Sequence, residues 1–248
     1  MTFRTIVGHR GVKGLLSAAI ARGSVPPTLL LAGPVGVGKH LVASATAATI
    51  NCITPLRDIA DLPIDACGRC RSCDRIARGV HVDVLVIEPD ESAQIKVDVI
   101  RDMLDTTAFR PFEGRKRVVV IRHADAMQGP AQNALLKSLE EPPSTTIFML
   151  TTAVPGVLLP TVRSRCMRLR LGRLTHGEVA EVLARDHGMS PEDARGVATL
   201  ADGSVGRALQ LGPGDLRPLL DMAFQLLERA ANGAAASRLQ ATTSIVSV

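Results

Sequence analysis

Two groups of residues have the types and spacing to do chemistry. The first is Gly33-Pro34-Val35-Gly36-Val37-Gly38-Lys39-His40, the spacing of a phosphate-binding loop. Its glycines let backbone amides close around phosphate oxygens. A helix opening at Leu41 adds partial positive charge, and Lys39 reaches for the outer phosphates. The next position of such a loop carries a Ser or Thr hydroxyl for Mg²⁺, and here it is His40. Mg²⁺ is a hard cation that takes oxygen ligands, so an imidazole is a poor substitute. The other half of such a site is a strand ending in acidic residues, one to hold the metal and one to orient the attacking water. The apolar run Val118-Val119-Val120-Ile121 leads instead into Arg122-His123-Ala124-Asp125. Asp125 comes too late to replace the missing pair without rebuilding the strand end, and it reads equally as an exposed carboxylate at a helix start. The pattern predicts a cradle that binds ATP weakly and does not hydrolyse it.

The second group is Cys52, Cys67, Cys70 and Cys73, spaced C-x14-C-x2-C-x2-C. Four thiolates suit tetrahedral zinc, and closely spaced cysteines in a Gly-containing turn let successive sulfurs point inward. In a reducing compartment disulfides are disfavoured, which leaves metal as the main explanation. Structural Zn²⁺ is expected, with all four positions filled by protein and none open for catalysis. Arg69, Arg71 and Arg75 around the cluster read as a solvated exterior, or alternatively as a DNA-binding knuckle. Cys166 stands far along the chain and is expected to be partly buried.

The elements that must position these groups follow from the apolar pattern. The 248 residues are enough for one or two domains. Through about residue 168, short β-rich runs alternate with helical patterns, the signature of an α/β fold with a parallel sheet. The strands expected are Thr28–Ala32, Val82–Ile87, Val118–Ile121 and Thr146–Thr151, each nearly continuous in apolar residues as a strand covered on both faces must be. Helices follow: one capped by Thr175 with Glu178 three residues on, one opened by Ser190-Pro191-Glu192-Asp193, and a last apolar one from about Leu216 to Ala231. Apolar bursts such as Leu29 to Leu31 are far too short to span a bilayer. The first residues lack the apolar core of a secretory signal, so a cytoplasmic protein is expected. Five Phe with no Tyr or Trp argue against a base-stacking platform, while a net charge of +5 permits phosphate contacts without proving them.

In order along the chain, Ile6-Val7-Gly8-His9, the phosphate loop, the Cys cluster, Lys96-Val97-Asp98 through Arg101, Asn133 through Pro143, and Ser164-Arg165-Cys166 resemble the clamp-loader subunits of bacterial DNA replication. The resemblance covers nearly the whole chain. It implies a RecA-like AAA+ P-loop domain over 1–168 with the zinc insertion at about 52–73. It implies a helical lid over 169–212, and over 213–248 the start of a collar-like helical region, too short for the family's third domain. Val7, Gly8, Gly33, Pro34, Gly36, Gly38, Lys39 and His40 would line the nucleotide site.

Within the family, the motor member keeps the loop hydroxyl, an Asp-Glu pair after the strand and a lid arginine after Gly-Ser-x. Here those positions read His40, Arg122-His123 and Gly206, with Arg207 about 100° further around a helix. The chain therefore resembles the catalytically degenerate neighbour of the motor. Arg165, in the retained Ser-Arg-Cys motif, would be an arginine finger reaching the motor's nucleotide; the plainer alternative is an arginine paired on its own surface. Lys96, Arg101 and Lys137 would touch the backbone of primed DNA in sequence-independent contacts. The implied partners are the gamma/tau and delta subunits, the sliding clamp and primed DNA, with no membrane. Two other readings remain: an active gamma/tau-type ATPase that tolerates His40 and Arg122, and a zinc-dependent DNA-binding module.

Overall fold

The structure, a computed structural model, describes residues 1–211 together with Met222, Gln225 and Glu228. Two compact units divide between Thr175 and His176. The first opens with a 3-10 turn at Phe3–Thr5 capped by Thr2, then helix α1 (Arg10–Ala21) and strand β1 (Thr28–Ala32). Helix α2 (Lys39–Asn51) leads into an antiparallel pair, β2 (Leu56–Arg57) and β3 (Pro63–Asp65), and then α3 (Arg71–Ala77). There follow β4 (Val84–Ile87), α4 (Val97–Thr107), β5 (Arg117–Ile121), α5 (Gly129–Glu140), β6 (Thr146–Thr152), α6 (Pro160–Ser164) and β7 (Met167–Arg170).

Five strands form one parallel sheet in the order β4-β5-β6-β1-β7. Successive side chains of a strand face opposite ways. Leu29, Leu31, Val118, Val120, Ile147 and Met149 therefore join α1 and α2 in one apolar layer. Leu30, Val119, Ile121, Phe148 and Leu150 join α4, α5 and α6 in the other. Burial on both faces explains the unbroken apolar runs, and each fully buried Leu or Phe contributes about 1.5–3 kcal/mol.

Two features depart from expectation. The strand expected from Val82 begins at Val84, because Asp83 is withdrawn into the interior and its carbonyl accepts from Val118 N at 2.8 Å. The strand β7 was not foreseen, since Met167-Arg168-Leu169-Arg170 buries only Leu169 and lacks a long apolar run. It pairs with β1 along one side and straddles position 168, so the sheet unit continues to Thr175.

In the second unit, α7 (His176–His187) starts directly after Thr175 and carries Glu178 in its first turn. Helix α8 (Pro191–Leu200) is capped by Ser190, whose Oγ accepts from Asp193 N at 3.1 Å. Val179 and Leu183 of α7 are buried, as are Ala194, Val197 and Ala198 of α8. The helix expected over Leu216 to Ala231 lies outside the described residues, apart from the helical Met222, Gln225 and Glu228. No helix among the described residues is long and apolar enough to cross a membrane.

Candidate functional site

The phosphate loop runs from the end of β1 to the start of α2, at the C-terminal edge of the sheet where ligands of open α/β folds bind. Gly33 N bonds Thr152 O at 3.2 Å, and a Cβ there would lie 2.2 Å from Leu171 O, the residue following β7. Only glycine fits that approach. Gly38 takes φ 91° as the residue that starts α2, a conformation side chains resist. No side chain caps this helix end. Lys39 is buried, and its Nζ donates to Gly33 O at 2.8 Å and Pro34 O at 2.7 Å. Burial lowers its proton affinity, with the charge of Asp125 opposing the shift.

His9 reaches the same loop, its Nε2 lying 2.7 Å from Val37 O. His9 stands in the quoted Ile6-Val7-Gly8-His9 motif but was not among the expected site residues; the left-handed pair Gly8 (φ 71°) and His9 (φ 50°) turns the chain there. Behind His40 stand the ends of β4 and β5. Arg122 is ion-paired to Glu88, and its Nε is buried without a partner. His123 N donates to Thr151 Oγ1 at 3.3 Å. The pKa of His40 is lowered first by burial and then by Arg122, with His123 and Lys39 adding and Glu88 opposing. Of the alternative reading of Asp125 as an exposed carboxylate at a helix start, the helix start stands and the exposure is corrected. Asp125 sits half-buried in a 3-10 turn, accepts from Ala153 N at 3.3 Å, and its charge is felt by Lys39.

Arg165 follows α6. Its guanidinium rests on its own domain, with Nη1 donating to Thr161 O at 3.0 Å and Nη2 3.3 Å from Glu140 Oε2. Its Nε is buried and unpaired, and its carbonyl accepts from Thr28 Oγ1 at 2.6 Å. Cys166 beside it is buried, which pushes its thiol up to about 11. Lys96, Arg101 and Lys137 are all exposed, the first just before α4 and the others on the adjacent helices α4 and α5. Lys96 precedes α4 and pairs with Asp90 at 2.8 Å, while Arg101 pairs with Asp98 at 3.2 Å.

At the opposite end of α2, Cys52 ends the helix and meets Cys67, Cys70 and Cys73, all four sulfurs lying within 4.8 Å of one another. Sγ separations are 3.6 Å (Cys52–Cys73), 3.9 Å (Cys52–Cys70) and 4.0 Å (Cys67–Cys73). A tetrahedron with Zn–S bonds of about 2.3 Å has edges of about 3.8 Å, whereas a disulfide needs about 2.05 Å. The donor set thus fits a metal and not a disulfide. Amides of Cys67 and Cys70 point at the sulfurs of Cys52 and Cys67, both at 3.3 Å. Burial opposes ionisation of Cys67, but bonds from the Thr54 side chain and the Arg69 and Cys70 amides outweigh it and bring the thiol down to about 6. Cys73 is driven the other way by burial and the neighbouring sulfurs. The insertion is fastened to the N-terminus by buried Asp65, which accepts from Phe3 N at 2.9 Å and Arg4 N at 3.1 Å, a role no local pattern announced.

A parallel sheet covered on both faces, a phosphate loop at its C-terminal edge and a separate helical unit define a P-loop protein of AAA+ type. Residues 8–175 match the family described as DNA polymerase III, delta subunit, and the chain belongs to this clamp-loader family. It is 41% identical to DNA polymerase III subunit delta' of Pseudomonas aeruginosa over 56% of this chain and 41% of that protein. It is 33% identical to DNA polymerase III subunit tau of Escherichia coli over 85% of this chain and 32% of that protein. The chain thus spans well under half the length of both relatives. Among solved structures, the RuvB Holliday junction branch migration motor of Thermotoga maritima shares the fold, with a TM-score of 0.55 and 20% identity over 98% of this chain and 71% of that one.

Proposed function

We propose that the chain acts in the cytoplasm as a delta'-type clamp-loader subunit that does not turn over ATP itself and supplies Arg165 to a neighbouring motor subunit. The observation that carries this reading is the end of β5. Where phosphoryl transfer needs one carboxylate for Mg²⁺ and one for the attacking water, Arg122 is paired to Glu88 and His123 follows. His40 removes the remaining metal ligand from the loop. What is left is a phosphate cradle for weak nucleotide binding, lined by the loop residues from Gly33 to His40 with Val7 and Gly8 beside it. The helical unit acts as the lid, and at the motor's arginine position it has Gly206, with Arg207 N bonded to Ser204 Oγ at 3.1 Å.

In this reading Arg165 leaves Glu140 and Thr161 when the ring assembles and stabilises charge on the phosphoryl group transferred in the adjacent subunit. Its unpaired Nε supports a role completed by a partner. The partners are the gamma/tau and delta subunits, the sliding clamp, and primed DNA, whose phosphates Lys96, Arg101 and Lys137 contact. The four cysteines hold a structural zinc ion, which ties the end of α2 to α3.

The test is reconstitution with tau and delta subunits, sliding clamp and primed DNA. Arg165→Ala is expected to keep zinc and folding but to lower ATP turnover by the complex, by less than the roughly 10³-fold effect of losing every finger. Arg165→Lys does not rescue, because an ammonium cannot reproduce the planar fork. The second reading, an active motor, is favoured by the kinship with tau over most of the chain. It is established if isolated protein turns over ATP and Lys39→Ala abolishes that activity.

A further inference from the structure

The sheet ends at β7, which pairs with β1 on one side and with no strand among the described residues on the other. Leu171 N donates to Ala32 O at 2.8 Å, so the odd-numbered residues here turn their backbone groups to β1. The amides and carbonyls of Arg168 and Arg170 therefore face outward, and among the described residues they bond to nothing. Side chains alternate across the same strand. Met167 and Leu169 turn toward α1 and line an apolar groove with Leu15, Leu16, Leu29 and Arg22. Met167 is 45% and Leu15 48% exposed, so nothing closes the groove. Arg168 and Arg170 turn to the opposite face of the sheet and are exposed, as is Arg163 of α6, the helix packed on that face. Among the described residues none of Arg22, Arg163, Arg168 and Arg170 has an ion pair or a side-chain hydrogen bond. No Asp or Glu occurs before Asp58 or between Glu141 and Glu178, the stretches that supply α1, β1, α6 and β7. Glu140, just ahead of the second stretch, is held by Arg165.

Charged residues on an edge strand guard it against unwanted pairing. That accounts for the two arginines on one face and leaves the open apolar groove on the other unaccounted for. The guard acts against a second copy of this chain, since β7 laid antiparallel on β7 sets Arg168 and Arg170 against their own copies. It acts the other way on a strand that carries carboxylates. We propose that β7 accepts an extended segment of a partner protein in which acidic and apolar residues alternate. The backbone of the segment adds to the edge at Arg168 and Arg170, its carboxylates meet their guanidinium groups, and its apolar side chains enter the groove between α1 and the sheet. A nucleic-acid strand carries the charge but offers neither peptide groups for the edge nor aliphatic side chains for the groove.

Fluorescence anisotropy of the full chain with a labelled peptide of alternating Glu and Val, about eight residues long so that it runs past the strand, tests this. Two further peptides carry N-methyl groups, one on every Glu and the other on every Val. In an added strand only one alternate set of amides faces β7, so one methylated peptide is expected to bind like the parent and the other not at all. Arg168→Ala combined with Arg170→Ala is expected to weaken the parent peptide about fivefold at low salt and less at high salt. Leu15→Asp, which sets a charge in the groove, is expected to weaken it about tenfold. Equal affinity of the two methylated peptides, or no binding by the parent, overturns the inference independently of how any variant folds. Oligothymidylate is run alongside. If it binds more tightly than the peptide, is weakened by the double arginine variant and is untouched by Leu15→Asp, the face is a polyanion surface and the inference is overturned.

Discussion

Helix α2 carries a different kind of site at each end. Its first turn forms the phosphate loop, and the residue that ends it, Cys52, is one corner of the sulfur cluster. The cluster is complete in protein donors: four sulfurs at tetrahedral separations, fixed by amides and by the Asp65 contacts to the N-terminus. The loop is complete only in its backbone. Its glycines, helix end and lysine are in place, while the metal-binding oxygens have become basic groups. A structural metal site needs every ligand, because its ion holds the fold together. A nucleotide cradle can lose its catalytic partners and still be shaped by the sheet around it. The same helix therefore joins a sulfur cluster that could hold a metal ion to a loop that keeps its backbone while basic groups stand at the oxygen positions around it.

The sharpest way to break this comparison is to remove the metal. We expect one zinc ion per chain, with chelation or Cys70→Ser unfolding the segment between α2 and α3, since binding to such sites is worth about 10–16 kcal/mol and is inseparable from their folding. Metal analysis together with hydrogen exchange over residues 52–77 reports it. Substoichiometric zinc in protein purified without chelator defeats the assignment.

A smaller effect comes from the charge cluster beside the insertion. Fully buried Asp83 accepts from the amides of Phe112, Glu113 and Gly114, each at 2.8 Å, and from Arg117 Nη2 at 3.0 Å. Glu113 in turn pairs with Arg75 of α3 at 2.7 Å. Asp83→Ala strands Arg117 and is expected to destabilise the sheet unit by about 3–5 kcal/mol while the four sulfurs keep their zinc. The chain has no Trp or Tyr, so urea unfolding is followed by far-ultraviolet circular dichroism. Burial raises the pKa of Asp83, but the amide and guanidinium bonds prevail and depress it. Its contribution is thus full above the unfolded value of about 3.9 and is lost as pH falls through the lower folded value. Wild-type stability should fall more steeply in acid than that of Asp83→Ala; parallel pH profiles would remove Asp83 from the account.

At the loop itself, Gly33→Ala drives a Cβ into Leu171 O and is expected to cost about 1–3 kcal/mol, read as a lower urea midpoint. An unchanged midpoint would mean that the exit of β7 yields and the cradle is not imposed by the sheet. Lys39→Ala is the smallest. The loss of two hydrogen bonds is offset by relief of a buried ammonium, leaving stability within about 1 kcal/mol of wild type. Turnover by the reconstituted complex should also stay unchanged, and a large loss would identify the chain as a motor.

Much was legible in the sequence because it is written in short-range patterns. The glycine spacing, the C-x2-C-x2-C run and the apolar bursts of β1, β5 and β6 each fix local geometry, and together they specify a covered parallel sheet bearing a phosphate loop. The strand β7 was not legible, since an edge strand of alternating Arg and apolar residues has no continuous run to betray it. Nor were the contacts of Asp125 with Ala153, His9 with Val37, Asp65 with Phe3 and Arg165 with Glu140. Those partners lie 25 to 62 residues apart in the chain and meet only after strand order and register are set. Residue type and spacing determined which groups this protein possesses. The tertiary structure decided which charges face one another, because packing across the sheet brings together side chains that no local periodicity relates.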